Sequence, residues 1–281
     1  MDCSLKAFLA TFKRLPSLIK PMSTLSELRR QNLKLAKMAV KDSVNADLYI
    51  VNAINNVEEL AKIANTLTKR LREWYALYFP ELEKKVQDNE AFVRLVLKAD
   101  KKTLLLESKV KDEMGFNLEK QDLEPILSLA SVITDLLREK QLLEDYLDKT
   151  MRIHCINLTT VAGSLIGAKL LKEAGSLKRL AMMRSSTIQL LGAEKALFRH
   201  IRTGARPPKY GYLLQHQLVQ KTRKDERGKA ARALADKIFL AVRVDYFKGQ
   251  FIADKLLAEL EARFKISLDK GGNGNDRGER G

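Results

Sequence analysis

Three histidines and two cysteines are the residues of this chain best suited to metal or nucleophilic chemistry. His154 and Cys155 are adjacent, but no second pair stands at the spacing that a zinc site uses, and the adjacent pair is interpreted as core filling. The segment GSLIGAK, residues 163–169, lacks the glycine spacing and the hydroxyl residue of a phosphate-binding loop. Its small residues are expected to let two helices approach closely. The sequence therefore predicts no enzyme, no metal and no cofactor.

Phosphate binding is the chemistry that the sequence favours, and it is concentrated in one segment. Residues 192–237 read GAEKALFRHIRTGARPPKYGYLLQHQLVQKTRKDERGKAARALADK. The planar guanidinium fork of arginine matches the oxygens of a phosphate group. A lysine-rich helix face is more often simply solvated, and that is the alternative interpretation. The abundance of arginine favours a polyanionic partner, nucleic acid before a membrane.

The positive charge is unevenly distributed along the chain. The 281 residues carry a net charge of +16, from 51 basic and 35 acidic residues. Residues 73–150 hold 12 basic and 17 acidic residues, whereas residues 151–264 hold 22 and 9. An acidic middle thus precedes a strongly basic region, which predicts a dedicated anion-binding module.

A short helix and a stiff turn are predicted to position the first cations of this module. Residues 192–200 favour a helix that places Lys195 and Arg199 one turn apart. The Pro-Pro turn that follows limits the conformational entropy of the chain, so that Lys209 and Tyr210 project from it. The aromatic ring is suited to stacking on a base or a sugar. Glu194 beside Lys195 is interpreted as an exposed or capping ion pair.

A longer helix is predicted from Asp225 to Arg243. Its apolar stripe consists of Ala230, Leu234, Ile238 and Ala241. The opposite side carries arginine and lysine. The candidate RNA-binding residues of the whole module are Lys195, Arg199, Lys209, Tyr210, Arg227, Lys229, Arg232 and Arg243.

Helical periodicity runs through most of the remaining chain and predicts an all-α fold. One apolar stripe extends from Ile50 to Leu82, where Pro80 is expected to kink or restart the helix. A second stripe extends from Ile126 to Leu147, with Lys140 at an interior position. Such stripes more often form ordinary core than a projecting coiled coil, but the charged outer faces favour an exposed hairpin.

The hairpin is predicted to turn near residues 100–122. Gly115 fits a helix C-cap there, and Asp122 followed by Pro125 indicates a new helix start. The two stripes and the interior lysine predict that the chain forms a dimer through residues 81–150.

No membrane or secretion signal is found in the sequence. The uncharged stretch Ile153–Ala168 is short for a membrane span and carries polar residues, so we expect a buried helical region and no membrane partner. Two cysteines do not make a disulfide framework in a chain of this length. These features predict a cytoplasmic protein.

The run of residues 192–232, together with VRVDYF further on, resembles the Nop domain of the archaeal core protein of box C/D ribonucleoproteins. LREWYALYFPEL resembles the start of the coiled-coil domain of that family, and the resemblance covers roughly residues 25–264. It implies an all-helical scaffold with a long antiparallel coiled-coil hairpin and a compact helical Nop domain. The Nop domain would bind guide RNA together with a kink-turn-binding protein, and the coiled coil would self-associate.

The resemblance also implies individual contacts and a catalytic partner. A related spliceosomal Nop factor implies RNA contacts for Lys209, Arg232 and Arg243, through PPKYG, KAAR and VRVD. In the family an amino-terminal domain holds fibrillarin, the methyltransferase that modifies the RNA 2′-hydroxyl. The corresponding segment here, residues 1–40, is short, so weak fibrillarin binding is expected. The alternative is a stand-alone nucleic-acid-binding protein, or a splicing-type Nop factor without a methyltransferase.

The resemblance divides the chain into four segments. Residues 1–40 would be a shortened fibrillarin-docking region, residues 41–150 a helical and coiled-coil domain, residues 151–264 the Nop domain, and residues 265–281 a flexible polar tail. One local departure is Arg184 in MMRSSTIQ, where the family often has a turn proline.

Overall fold

The computed structural model describes residues 25–98, 114–116 and 118–266, and all regular structure in these ranges is helical. The predicted all-α fold class is thus confirmed. Contacts divide the chain after Asn45 into two compact units. The first unit contains helix α1 (Leu25–Ser43), whose apolar residues are exposed, Leu25 by 85%. None of the helices in the described ranges is long and apolar enough to span a membrane.

Two long helices, α2 (Ala46–Tyr75) and α5 (Lys120–His154), form the frame of the second unit. They are antiparallel, because Ile54 near the start of α2 shares a core with Met151 near the end of α5. The other ends of the two helices share a separate core. Its buried residues are Leu71, Tyr75, Phe79, Leu82, Phe92, Val93, Val96, Ile126, Ala130 and Ile133.

Pro80 restarts the helix, as the sequence predicts. Helix α2 ends at Tyr75, and α3 (Pro80–Lys85) begins at the proline itself. In the first turn of a helix the missing backbone N–H costs nothing, because that donor would have no intrahelical partner. Helix α4 (Asn89–Lys98) follows and packs on α5.

The predicted hairpin tip lies largely outside the described residues, since these omit residues 99–113 and 117. Gly115 does not have the left-handed backbone of the C-cap predicted for it. A Cβ there would lie 2.0 Å from the carbonyl oxygen of Tyr78, so the glycine permits a close approach of two backbone segments. Helix α5 begins at Lys120, two residues before the predicted start at Asp122.

Shorter helices build the larger core around a central helix, α12. Eight residues of α12 are buried, more than in any other of the helices that follow α5 in the described ranges. The elements after α5 are α6 (Ile156–Ala162), α7 (Ser164–Ala174), α8 (Leu177–Met182), α9 (Ser185–Leu190), α10 (Glu194–Thr203), a 3-10 turn (Tyr212–Gln215), α11 (Gln217–Lys221), α12 (Arg227–Tyr246) and α13 (Ala253–Phe264).

The uncharged stretch of the sequence is buried helix, as predicted. It includes the end of α5, all of α6 and the start of α7. A Cβ at Gly167 would lie 2.9 Å from Cε of Met151, so the small residue lets α7 approach α5 closely. Helix α5 continues to His154, past the boundary predicted at residues 150–151, and its last turns pack in the same core as α7.

His154 and Cys155 have different roles in this core. The thiol of Cys155 is fully buried, and burial raises its pKa, so it stays protonated and packs as a small apolar group. His154 lies 2.7 Å from a carboxylate oxygen of Asp47 through its Nε2 atom. The other oxygen of Asp47 accepts a hydrogen bond from the backbone N–H of Leu177, at 3.0 Å. The histidine is therefore part of a polar link between three helices and is more than core filling.

Candidate nucleic-acid interface

The Pro-Pro turn is held against α9 by Gln189. The side-chain amide of Gln189 donates to the carbonyl of Lys209 at 2.6 Å, and the backbone carbonyl of Gln189 accepts from the N–H of Gly211 at 3.0 Å. A Cβ on Gly211 would lie 1.8 Å from the carbonyl oxygen of Leu191, so this position requires glycine. These contacts fix the backbone on both sides of Tyr210.

Lys209 is held over the first turn of α12. Its aliphatic carbons lie 3.6 to 4.0 Å from the position that a Cβ on Gly228 would take. The stem of the side chain thus packs on the helix, and its ammonium group is left exposed beside the start of α12. Tyr210 is half-buried against the core, so only part of its ring is available for stacking.

Helix α12 has a core side and a basic side. The predicted apolar stripe, from Ala230 to Ala241, is fully buried. At about 100° per residue, Gly228, Arg232 and Arg243 lie within about 60° of one another on the opposite side. Arg232 and Arg243 are exposed, and neither forms an ion pair with a described residue. At a rise of about 1.5 Å per residue they stand about 16 Å apart along the helix axis.

Lysine and acidic groups near these arginines complete the surface. Lys229 is exposed and lies 3.8 Å from Glu226, a loose ion pair between solvated groups. Asp236 is exposed between the two arginines on the same side of the helix. We call the surface formed by Lys209, Lys229, Arg232 and Arg243 the basic face.

Arg227 is placed differently from the other predicted RNA-binding residues. Its guanidinium donates to the carbonyl of Thr222 at 3.4 Å and to that of Gln220 at 3.3 Å. Arg227 stands three residues before Ala230 and seven before Leu234, so helical spacing puts it in line with the buried stripe. It holds the end of α11 to the start of α12 and thereby supports the basic face.

Lys195 and Arg199 are exposed on α10, a helix without a single buried residue. Phe198 and Ile201 of the same helix are also exposed, by 63% and 69%. The helix begins at Glu194, whose carboxylate accepts from the N–H of Gly192 at 2.7 Å and so closes the preceding turn. The predicted ion pair between Glu194 and Lys195 is not found among the described residues, because the carboxylate bonds a backbone donor instead.

A buried network anchors the end of α12 near Arg243. The carboxylate of Asp245 accepts from the backbone N–H of Asn157 at 3.1 Å and from the side-chain amide of the same residue at 2.8 Å. It also accepts from the backbone N–H of Leu158 at 2.8 Å. Burial raises the pKa of Asp245, although these donors oppose the shift. The side-chain oxygen of Asn157 accepts in turn from the N–H of Ile252, at 2.8 Å. Three helices are joined at this point.

This network and the role of Gln189 were not among the features predicted from the sequence. A signal was present for Asp245, because an acidic residue in the last turn of a helix opposes the helix dipole. Such a residue needs a compensating partner, which here is the N-terminus of α6.

His216 carries no charge at neutral pH. Burial lowers the pKa of His216 to about 4. The neutral ring accepts from the N–H of Leu218 at Nδ1, at 3.2 Å, and also hydrogen-bonds the backbone of Val161. In the described parts of the chain no group of three His, Cys, Asp or Glu residues is arranged to hold a metal ion. The cations exposed on this surface are lysine and arginine, whose side chains are suited to anions.

Lysine and arginine clustered along one face of a helix are the electrostatic footprint expected of a nucleic-acid-binding protein. Residues 56–266 match the family model described as "Nop: snoRNA binding domain, fibrillarin". The match covers most of the chain, which therefore belongs to the Nop family.

Curated relatives of this chain are found in archaea and fungi. A NOP5 family protein of Methanocaldococcus jannaschii is 40% identical over 247 residues, covering 82% of this chain and 59% of that protein. Nucleolar protein 58 of Schizosaccharomyces pombe is 39% identical over 215 residues, covering 71% and 42%. That of Aspergillus fumigatus is 39% identical over 289 residues, covering 92% and 48%. The chain spans about half the length of the curated relatives that it matches.

A solved structure shares the fold. It is titled a crystal structure of a fibrillarin/Nop5p complex, and the superposition gives a TM-score of 0.50 at 25% sequence identity. The matched region covers 85% of this chain and 77% of the other.

Proposed function

We propose that this protein is a non-catalytic scaffold of a box C/D guide ribonucleoprotein. It binds guide RNA together with a kink-turn-binding protein and helps to position fibrillarin for RNA 2′-O-methylation. The observation that carries the proposal is the basic face, whose arginines have no carboxylate partner among the described residues, in a chain of the Nop family.

The basic face suits an RNA backbone in charge and in rigidity. Arg232 and Arg243 project from one helix that is anchored at both ends, by Arg227 and by Asp245. Lys209 is fixed beside them through its packing on Gly228. A preorganised set of cations loses little conformational entropy when it meets phosphate groups, and releases the counterions of the RNA.

The exposed surface of α10 supports a protein partner beside the RNA. Phe198 and Ile201 lie one turn apart, and Lys195 and Arg199 flank them. A surface that combines exposed apolar side chains with cations can contact a protein and its bound nucleic acid at the same time. A kink-turn-binding protein already seated on its RNA would present a protein surface and nucleic acid side by side, so we propose that it contacts α10.

Fibrillarin is proposed as the catalytic partner because a similar solved structure is titled a fibrillarin/Nop5p complex. The basic face consists of lysine and arginine side chains, which supply hydrogen-bond donors and positive charge for binding RNA. Methylation would therefore be performed by the bound enzyme, with the scaffold holding it near the target nucleotide.

The test is the binding of guide RNA, preassembled with the kink-turn-binding protein, to the Arg232→Ala and Arg243→Ala variants. We expect each variant to bind about tenfold more weakly near physiological salt, since each loses a charge-assisted phosphate contact. The slope of log affinity against log salt should fall by about 0.7 to 0.9 per variant. Fluorescence anisotropy over a salt series measures both quantities.

Arg138→Ala is the matched control, because Arg138 is an exposed arginine on α5, away from the basic face. It should leave affinity and slope unchanged. If Arg232→Ala and Arg243→Ala behave like this control, the RNA role of the basic face is wrong. If the RNA binds equally well without the kink-turn-binding protein, the alternative of a stand-alone nucleic-acid-binding protein is favoured.

A further inference from the structure

A groove lies between the α8–α9 connection and the second half of α12. Its volume is 380 Å³, within the range of about 300 to 1,000 Å³ that is usual for small-ligand sites. No acidic residue lines it. The side chains that matter are those of Met182, Met183, Arg184, Ser185, Phe239 and Arg243.

Arg184 borders the groove and is anchored through its backbone. Its carbonyl accepts from the N–H groups of Thr187 and Ile188, at 2.9 and 3.1 Å, and so begins helix α9. Its side chain is exposed and has no ion pair or hydrogen bond to any residue that the structure describes. The guanidinium is therefore available to an anion that enters the groove.

Arg243 closes the groove from α12. Its guanidinium carbon lies 5.2 Å from the centre of the Phe239 ring, a cation–π contact that holds the side chain on this aromatic group. Met182, which is 61% exposed, adds a polarizable apolar surface at the edge. The groove thus combines stacking and apolar surfaces with two unneutralised guanidinium groups.

This combination distinguishes an unpaired nucleotide from a duplex. A single-stranded base can stack on an arginine plane, an aromatic ring or a methionine, whereas the bases of an A-form helix are already stacked and present only their edges. The flanking phosphate is suited to the second guanidinium.

We propose that the groove binds one unpaired nucleotide of the bound RNA, with the base between Met182 and the Arg243–Phe239 pair and the phosphate on Arg184. The proposal rests on the proposed RNA-binding function and extends its interface beyond the basic face. In this proposal Arg184 contacts the phosphate of an unpaired nucleotide and so favours single-stranded RNA over a duplex.

The experiment compares a short single-stranded oligouridylate with an RNA duplex of the same length, using the full chain. Arg184→Ala is expected to weaken binding of the single strand about fivefold and to lower its salt slope by about 0.7. Affinity for the duplex should stay within twofold of the wild type. Arg184→Lys should restore the charge but only part of the affinity, since it lacks the planar fork.

Lys178→Ala is the control, because Lys178 is an exposed cation on α8 that does not line the groove. A second readout uses 4-thiouridine in the single strand, which should crosslink to a peptide containing Met182 or Phe239. The proposal is overturned if Arg184→Ala matches Lys178→Ala, if both RNAs are weakened equally, or if the crosslink maps elsewhere.

These outcomes separate this inference from the proposed function. Arg243 belongs to both surfaces, so Arg232→Ala with the assembled kink-turn complex tests the proposed function alone, and Arg184→Ala with free single strands tests the groove alone. If Arg232→Ala loses RNA binding and Arg184→Ala has no effect, the proposed scaffold function is supported and the proposed nucleotide site is wrong.

Discussion

The turn between α3 and α4 surrounds the guanidinium of Arg72 with backbone carbonyls, whereas the guanidinium of Arg232 on α12 meets no described acceptor. Arg72 donates to the carbonyls of Val86, Gln87 and Asp88 at 2.7 to 3.1 Å. It also lies 4.3 Å from the centre of the Phe92 ring. The hydrogen-bond donors of Arg72 are used within the fold, whereas those of Arg232 are available to a binding partner.

The same contrast holds for the cations around them. In the α2–α5 region Lys140 pairs with Glu144 at 3.5 Å, and Lys172 of α7 pairs with Glu58 of α2 at 2.6 Å. On the basic face only Lys229 has a carboxylate within 4 Å among the described residues, and that pair is loose. The density of cations along a sequence therefore indicates function only where the fold leaves them without partners.

The largest effect that should separate the two regions is on stability. Arg72→Ala is expected to lower the free energy of unfolding by about 3 kcal/mol, because the carbonyls of Val86, Gln87 and Asp88 lose their donor and the cation–π contact with Phe92 is lost. Arg232→Ala should change it by less than about 0.5 kcal/mol, as is usual for an exposed surface site. Urea denaturation followed by circular dichroism measures both. Similar losses in the two variants would show that Arg232 has a structural role and would break the comparison.

A second difference concerns self-association. One side of α5 carries three exposed apolar side chains, those of Val132, Leu142 and Tyr146, which are 49%, 53% and 46% exposed. They supply an apolar surface for the dimer predicted through residues 81–150. Lys140, the interior lysine of that prediction, pairs within its own helix. We expect a dimer at micromolar concentration that Val132→Lys with Leu142→Lys converts to monomer, as measured by light scattering.

Arg232→Ala is the control for this measurement and should remain a dimer. A monomeric wild-type protein at micromolar concentration would contradict the prediction. A double variant that stays dimeric would place the contact on another surface.

The smallest expected effect concerns the carboxylate within the basic face. Asp236 lies about 40° from Arg232 and about 20° from Arg243 around α12 and repels phosphate. Asp236→Asn should raise the affinity for RNA about twofold at low salt, with the gain lost as salt screens the charge. Glu139→Gln, which removes an exposed carboxylate from α5, should leave affinity unchanged. Equal gains in both variants would mean that RNA responds to net charge and not to this face.

Local pattern was enough for much of the fold. The apolar stripe of α12 and the restart at Pro80 follow directly from residue spacing, because each depends on neighbours within a few turns. The precise role of Gly115 did not follow, since the contact that requires it is with Tyr78, far away in sequence. The predicted weak binding of fibrillarin stays a prediction, because residues 1–24 lie outside the described residues.

Part of the candidate site could also be predicted from local sequence patterns. Arg232 and Arg243 stand opposite an apolar stripe, which the sequence displays, and the turn that carries Lys209 is marked by its prolines. Arg227 was grouped with them, although its spacing to Ala230 and Leu234 places it in line with the stripe. The groove at Arg184 joins residues more than fifty positions apart and has no local signature.

The amino-acid sequence by itself determined the helical class, the approximate positions of α2, α5, α10 and α12, and the concentration of positive charge in residues 151–264, because periodicity and charge are local properties. Tertiary structure decided which cations remain free. Arg72 and Arg232 are the same side chain in helices of similar pattern, and only the packing of α3 and α4 brings carbonyls to the first. Hydrogen-bond partners close to one another in space but distant in sequence cannot be derived from spacing alone, and they determine whether an arginine stabilises the fold or remains exposed to a partner.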